Sequence, residues 1–215
     1  MVSVLQTVYG GFMSTQSFNS LIGSVRSCTL CKDELEHGVR PVLQCHPDAR
    51  ILIAGQAPGI KVHNSGVPFD DASGDRLREW MGIDKETFYD ETQIAILPMG
   101  FCYPGRGKSG DLPPKPLCAE TWRDQLIASL PKLELTLVIG QYAQAWHLPF
   151  QKKTLTETVR DYASYDESLL PLPHPSPRNN IWLKRNDWFV REALPVLRAR
   201  VKKTLGDKSH PTKSE

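Results

Sequence analysis

The sequence contains no apolar run near the ~20 residues that a membrane-spanning helix needs, and it has no excess of charge of one sign. Lysine and arginine number 26 against 24 aspartate and glutamate residues, which gives a net charge of +2. The first 16 residues combine neither a basic stretch nor a clear apolar core, so we expect no secretory signal peptide. These absences argue against a membrane protein, and against nucleic-acid binding through overall charge alone.

Cysteine is scarce and odd in number, with five in 215 residues. This count favours reduced thiols in a cytoplasmic protein over a disulfide framework. The length and the 40% hydrophobic content predict a single domain over residues 1–205. The polar residues 206–215 are expected to form a disordered tail.

Four short apolar runs lie at residues 49–55, 93–99, 135–140 and 168–174. They are continuous rather than alternating, which is typical of strands buried on both faces. Helical patterns separate them, and the last helical pattern is expected to bend near Pro195. The order predicts an α/β fold, a three-layer α/β/α domain around a mostly parallel four-stranded sheet. Ligands bind outside the carboxyl ends of such strands.

The run GQAPGIKVHNSGVPF follows the first predicted strand. Gly55 and Gly59 would let the backbone approach a ligand closely, and Pro58 would stiffen the turn. Backbone N–H groups in such a turn can bind an anion, and Phe69 could stack on a flat ring. The alternative is an ordinary strand-to-helix turn with Phe69 in the core.

The cysteines form two pairs and one remainder. Cys28 and Cys31 lie in CTLC, and 15 residues separate Cys102 from Cys118. Four thiolates can hold a tetrahedral zinc ion or an iron–sulfur cluster, although the spacing also suits unligated buried thiols. Cys45 lies outside the pairs and is expected in the core.

The stretch PHPSPRNN follows the fourth run and holds His174 between two prolines. Because proline fixes φ and lacks an N–H, this is a rigid loop, and we predict that it positions His174 as a hydrogen-bond donor facing the GQAPG turn. Arg106 and Lys108 in the GRGKSG loop, together with Arg178, are candidates for phosphate contacts. The basic residues within 191–203 are interpreted as a solvated helix face.

Together these motifs resemble the uracil-DNA glycosylase superfamily over roughly residues 25–190. GQAPG with Gly66 to Phe69 downstream, and the spacing of the four cysteines, are similar to the iron–sulfur family 4 enzymes. HPSPRN is similar to the motif of the single-strand-selective branch. The resemblance implies a monomeric enzyme that acts on damaged DNA, single- or double-stranded, and excises uracil or another deaminated base.

The resemblance also implies a role for each motif residue. His174 would donate to the uracil O2, the Gln56–Ala57 backbone would add donors, and Phe69 would stack on the base. A [4Fe–4S] cluster would be held by the four paired cysteines, with zinc or no metal as the alternatives. The remaining contacts implied with base and DNA are those of Gly55, Pro58, Gly59, Asn64, Ser176, Pro177, Arg178 and Asn179.

Two departures from the family pattern bear on activity. Ala57 stands where some branches carry an Asp or Asn that orients the attacking water, and Gln56 stands where family 4 usually has Glu. The candidate replacements are Asp70, Asp71, His63 and Asn64, and Asp71 could equally cap the next helix. Pro98 stands where an Asn usually reads the uracil edge. A DNA-binding member with weak or no activity is therefore one alternative, and an unrelated α/β domain with a small-molecule pocket is another.

Overall fold

A four-stranded, fully parallel sheet forms the centre of the protein, in the order β2-β1-β3-β4. The computed structural model describes residues 15–206. The strands are β1 (Ile51–Ala54), β2 (Ile94–Ile96), β3 (Leu135–Ile139) and β4 (Leu169–Leu172). Each strand lies within one predicted apolar run, and the predicted three-layer α/β/α fold is confirmed.

Both faces of the sheet are buried, which explains why the strands read as continuous apolar runs. Along β1, Ile51 and Ile53 belong to one hydrophobic cluster, and Leu52 and Ala54 belong to another on the opposite face. All four side chains are at most 1% exposed. The sheet therefore separates two hydrophobic cores.

Helices cover both faces of the sheet. They are α1 (Thr15–Arg26), α2 (Ile60–Ser65), α3 (Ala72–Met81), α4 (Lys85–Tyr89), α5 (Pro116–Ala128), α6 (Gly140–His147), α7 (Leu155–Arg160), α8 (Asn180–Arg185) and α9 (Leu194–Leu205). Helices α3 and α9 pack in the first cluster through Leu77 and Leu197. Helices α1 and α5 pack in the second cluster through Val25 and Leu126.

The last helical segment is interrupted, as the position of Pro195 predicts. A π-helical turn, Phe189–Ala193, comes directly before α9, and Pro195 lies in the first turn of α9. Because proline has no N–H, it cannot bond the carbonyl four residues earlier, so the chain widens there instead of continuing as a regular α-helix.

Two predictions about the extent of the chain, the C-terminal tail and the single domain, are not tested by the structure. The predicted tail lies outside the described residues, apart from Gly206, and the single domain over 1–205 stays a prediction. Within residues 15–206, every helix is too short or too polar to cross a bilayer.

Candidate active site

A cavity of about 520 Å³ lies at the carboxyl ends of the strands. Its volume is in the range typical of ligand pockets, ~300–1,000 Å³. The loops after β1, β2 and β4 all contribute to it. The lining includes the five residues 55–59, Phe69, Asp71, Pro98, Tyr103, Arg106, Asp111, His174 and the four residues 176–179. The structure thus brings His174 and the GQAPG turn to one cavity, although more than 100 residues separate them in sequence.

The loop after β4 fixes the orientation and protonation of His174. The backbone N–H of Ser176 donates to Nδ1 of His174 over 3.2 Å, and Nδ2 of Asn179 donates to its carbonyl over 2.7 Å. Burial lowers the pKa of His174, against an opposite effect of the Asp71 and Asp111 carboxylates. A neutral ring that accepts at Nδ1 carries its proton on Nε2. His174 is therefore a positioned, neutral N–H donor.

Arg76 ties this loop to helix α3. Its Nη1 donates to the carbonyl of Ser176 over 2.9 Å, and its Nη2 donates to Oδ1 of Asn180 over 2.8 Å. The fixed fork of the guanidinium holds both ends of the short 3₁₀ turn Pro177–Asn179. The position of the His174 loop therefore depends on a helix that lies far away in sequence.

Phe69 adopts a backbone conformation that non-glycine residues rarely use, with φ of +54°. Its carbonyl oxygen lies against Gly74, where an added Cβ would be only 1.8 Å from it. Its ring lies 3.6 Å from the position that a Cβ on Gly55 would occupy, and it packs edge-on against Phe88. Gly74 thus makes room for the Phe69 backbone, and the Phe69 ring forms one wall of the cavity.

Main-chain hydrogen bonds join the loops after β1 and β2. The N–H of Met99 donates to the carbonyl of Gly55 over 2.9 Å, and the N–H of Gly100 donates to the carbonyl of Gln56 over 3.0 Å. Ala57 and Pro98 both line the cavity beside these bonds. The two departures from the family pattern therefore lie in the wall of the candidate site.

A buried arginine binds the main-chain carbonyls that directly follow β2. Arg123 is 1% exposed, and its Nη1 donates to the carbonyls of Leu97 and Pro98 over 3.0 and 3.1 Å. Its Nε donates to Nε2 of His147 over 2.7 Å. Burial, aided by the Arg123 charge, lowers the pKa of His147 to about 3. His147 is therefore neutral at physiological pH and accepts from the arginine.

The carboxylates and other polar candidates divide into two groups. Asp71 lines the cavity, and its Oδ1 accepts from the N–H groups of Ser73 and Gly74, both over 2.9 Å. The prediction that Asp71 caps the helix is confirmed, with α3 beginning directly after it. The candidates that do not line the cavity are Asp70, Asn64, His63 and Lys108.

The placement of those outlying candidates has simple causes. Asp70 and Asn64 are exposed, and the Asn64 carbonyl accepts from Nη1 of Arg40 over 2.9 Å. His63 packs beside His37 and Tyr103 in a ring cluster. The first half of α2 lines the cavity through Ile60, Lys61 and Val62, whereas His63 and Asn64 in its second half do not.

Sequence reasoning missed a carboxylate on the loop after β2. Asp111 lines the cavity, and its backbone pairs with that of Arg106 in a small antiparallel bridge. The N–H of Leu112 donates to the carbonyl of Gly105 over 2.9 Å, and Gly105 and Gly110 both have positive φ. The glycine-rich run GRGKSGD was the available signal, because its glycines permit the tight turn that folds Asp111 back over the cavity.

Three basic side chains, those of Lys61, Arg106 and Arg178, line the cavity. Nη1 of Arg178 lies 3.3 Å from the position that a Cβ on Gly110 would take. The loops after β2 and β4 therefore approach each other at the rim. Positively charged side chains at this rim are suited to bind a chain of phosphate groups.

The four paired cysteines lie together at a second, much smaller cavity. Cys28, Cys31, Cys102 and Cys118 all line it, and its volume is about 30 Å³. Burial raises the pKa of Cys118 to about 12, and the other three thiols add to this rise. Within residues 15–206, no three or more His, Cys, Asp or Glu side chains stand in an arrangement ready to hold a metal ion.

The donor set nevertheless suits a metal–sulfur group. Four thiols converge, and the N–H of Phe101 donates to Sγ of Cys118 over 3.4 Å. Hydrogen bonds to sulfur are among the features that tune iron–sulfur clusters. Cys45 is instead buried in the second hydrophobic cluster, as predicted.

Comparison with known families gives one finding. The family described as the uracil DNA glycosylase superfamily matches residues 43–198. The match covers all four strands and the loops after β1, β2 and β4 that line the cavity.

Proposed function

The chain belongs to the uracil DNA glycosylase superfamily, and we propose that it is a DNA glycosylase that excises uracil or another deaminated base during base-excision repair. The neutral, positioned imidazole of His174 at the cavity carries this proposal. Breaking an N-glycosidic bond places negative charge on the departing base, and a preoriented donor stabilises that charge.

The remaining parts of the cavity support the same chemistry. A base must leave the helical stack before a pocket can bind it. The ring of Phe69 supplies a flat wall, and the turn at 55–59 allows close approach of the backbone. Arg178 at the rim suits a phosphate, together with Arg106 on the opposite loop. The cavity therefore contains the groups that a glycosylase needs to bind and release the base. The residue that activates water is the one role still to be assigned.

Base preference is expected to be broader than for uracil alone. Ala57 and Pro98 offer no side-chain hydrogen bond to a base edge, so the base would be read mainly by backbone groups. A pocket that bonds a polar edge discriminates strongly, and one that lacks such a bond discriminates less. We infer that hypoxanthine and xanthine are candidate substrates beside uracil.

The same two residues favour a second candidate, a DNA-binding member with weak or no glycosylase activity. The test is a panel of oligonucleotides that carry uracil, hypoxanthine or xanthine, single- and double-stranded, with the released base measured directly. Release from any of them supports the glycosylase. Salt-sensitive binding of DNA without release of a base supports the second candidate. If the chain neither binds DNA nor releases a base, both candidate functions are wrong.

We also infer that Cys28, Cys31, Cys102 and Cys118 hold a [4Fe–4S] cluster, and that zinc is the alternative occupant. Their shared cavity and the N–H donor to Cys118 support this. The bound cluster would tie the segment after α1 to the loop after β2 and to α5. Anaerobically prepared protein should absorb near ~400 nm and lose that band with Cys118→Ser. Colourless protein with stoichiometric zinc would establish the alternative.

A further inference from the structure

The proposed function leaves one role unassigned, that of the group that activates water. Cleavage of an N-glycosidic bond by water needs a carboxylate or an equivalent base near the sugar. Ala57 cannot supply it, and Asp70 and Asn64 do not line the cavity. Two carboxylates remain there, those of Asp71 and Asp111.

Asp71 already has a structural task. Its Oδ1 accepts two backbone N–H groups at the start of α3. This bonding accounts for its presence, since aspartate is among the preferred residues at the first position of a helix. Nothing in the bonding of Asp71 requires a further role in the reaction.

Asp111 has no such task. It is exposed, and no lysine, arginine or histidine within residues 15–206 forms a salt bridge with it. Its Oδ2 lies 3.7 Å from the position that a Cβ on Gly59 would occupy. Burial raises the pKa of the Tyr103 phenol, and the charge of the nearby Asp111 adds to that rise. The carboxylate is thus placed over the GQAPG turn and beside a phenol.

Asp111 and His174 lie on loops that leave different strands and meet at the cavity rim, where Nη1 of Arg178 lies 3.3 Å from the position that a Cβ on Gly110 would take. β2 and β4 are the two edge strands of the sheet, and Asp111 follows β2 while His174 follows β4. Water must approach the sugar carbon from the side opposite the departing base. A carboxylate on a loop separate from the one that holds the leaving-group donor suits that requirement.

We propose that Asp111 is the catalytic residue that binds and deprotonates the attacking water, an assignment that rests on the proposed glycosylase function. The water oxygen bonds to the sugar C1′ as the C1′–N bond breaks, and the electron pair of that bond leaves with the base. One water proton passes to the Asp111 carboxylate. Its return to the base anion through solvent restores the carboxylate, and the products are the free base and an abasic site.

The experiment compares Asp111→Asn with the wild-type chain under single-turnover conditions, using whichever oligonucleotide of the panel releases its base. Asparagine keeps the size of the side chain, but it cannot take a proton. We expect the rate to fall by roughly 10²–10⁴-fold. Binding of an oligonucleotide that carries a 2′-fluorinated, cleavage-resistant nucleotide should be unchanged or tighter, because the variant removes a negative charge that faces phosphates.

Three matched variants separate catalysis from structure. Asp187→Asn removes an exposed carboxylate that pairs with Arg191 on its own helical segment, and it should leave the rate unchanged. Asp71→Asn keeps a good helix cap and should cost far less than Asp111→Asn. Tyr103→Phe removes the phenol beside Asp111 and should slow release by no more than about tenfold, because it leaves the carboxylate in place and removes only one hydroxyl group.

The outcomes distinguish this assignment from the proposed function. A wild-type chain that releases no base overturns both. An active wild type with Asp111→Asn within about threefold of its rate overturns the assignment alone. The same holds if Asp71→Asn proves the more damaging variant, or if Tyr103→Phe and Asp111→Asn lose rate equally, since equal losses would mark Asp111 as an anchor of its loop.

Discussion

Replacement of His174 by alanine tests the centre of the proposed mechanism. The variant removes the Nε2–H donor from the cavity and removes the acceptor at Nδ1 for the Ser176 N–H. An unsatisfied backbone donor costs about 1–3 kcal/mol of stability. Domains of this kind are stable by ~5–15 kcal/mol, so the His174→Ala protein should stay folded.

The effect on the reaction should be much larger than the effect on folding. Loss of one preoriented donor to a developing anion raises a barrier by ~3–4 kcal/mol, which corresponds to a ~10²–10³-fold slower single-turnover release. The assay measures strand scission by alkali at the abasic sites formed in a uracil-containing single strand, with enzyme in excess over DNA. Thermal melting of the same preparation checks that the fold persists.

A control separates the imidazole from the shape of its loop. Asn179→Ala removes the hydrogen bond to the His174 carbonyl but keeps the ring and its Ser176 contact. It should slow release by less than about tenfold, in line with the ~1 kcal/mol of one neutral hydrogen bond. A His174→Ala protein within threefold of the wild-type rate, or one no slower than Asn179→Ala, would refute the donor role.

Four further predictions concern the protein scaffold. Gly74→Ala should lower the free energy of unfolding by more than about 2 kcal/mol in urea titrations, because its Cβ would meet the Phe69 carbonyl. Gly23→Ala, a helix position with open space around it, should raise it by about 0.5–1 kcal/mol. The pKa of His147 lies below its unfolded value of 6.5, so the unfolded chain binds the extra proton. His147 alone should therefore lower the stability by about 2 kcal/mol from pH 7.5 to pH 5, and His147→Gln should remove this contribution in urea titrations at both pH values. Arg76→Ala should slow base release by roughly tenfold while melting changes little, because it frees the loop that carries the imidazole; an unchanged rate would contradict that positioning role.

The strands and the position of the cavity could be predicted from the sequence because both depend on local patterns. Continuous apolar runs mark strands buried on two faces, and parallel strands place their following loops at one edge. The sequence patterns did not indicate four helices, α1, α2, α4 and α8. These helices are short or bury few side chains. Helix α1 buries only Phe18 and Val25, which is too few to produce a clear period.

The polar framework of the site could not be predicted in the same way. Arg76 contacts residues that are 100 and 104 positions away, and no local pattern indicates such a pairing. Asp111 reaches the cavity only because the glycines before it permit a tight turn. Asn64 was expected in the cavity because it follows GQAPG closely. It lies in the second half of the short helix α2, outside the cavity lining.

The bonds from Met99 to Gly55 and from Gly100 to Gln56 join only main-chain atoms, and this has a consequence for redesign. The scaffold of the pocket does not depend on which side chains occupy positions 57 and 98. Substitutions such as Ala57→Asn or Pro98→Asn could therefore exchange the set of recognised nucleobases while the architecture stays intact, so that substrate choice and foldability can evolve separately.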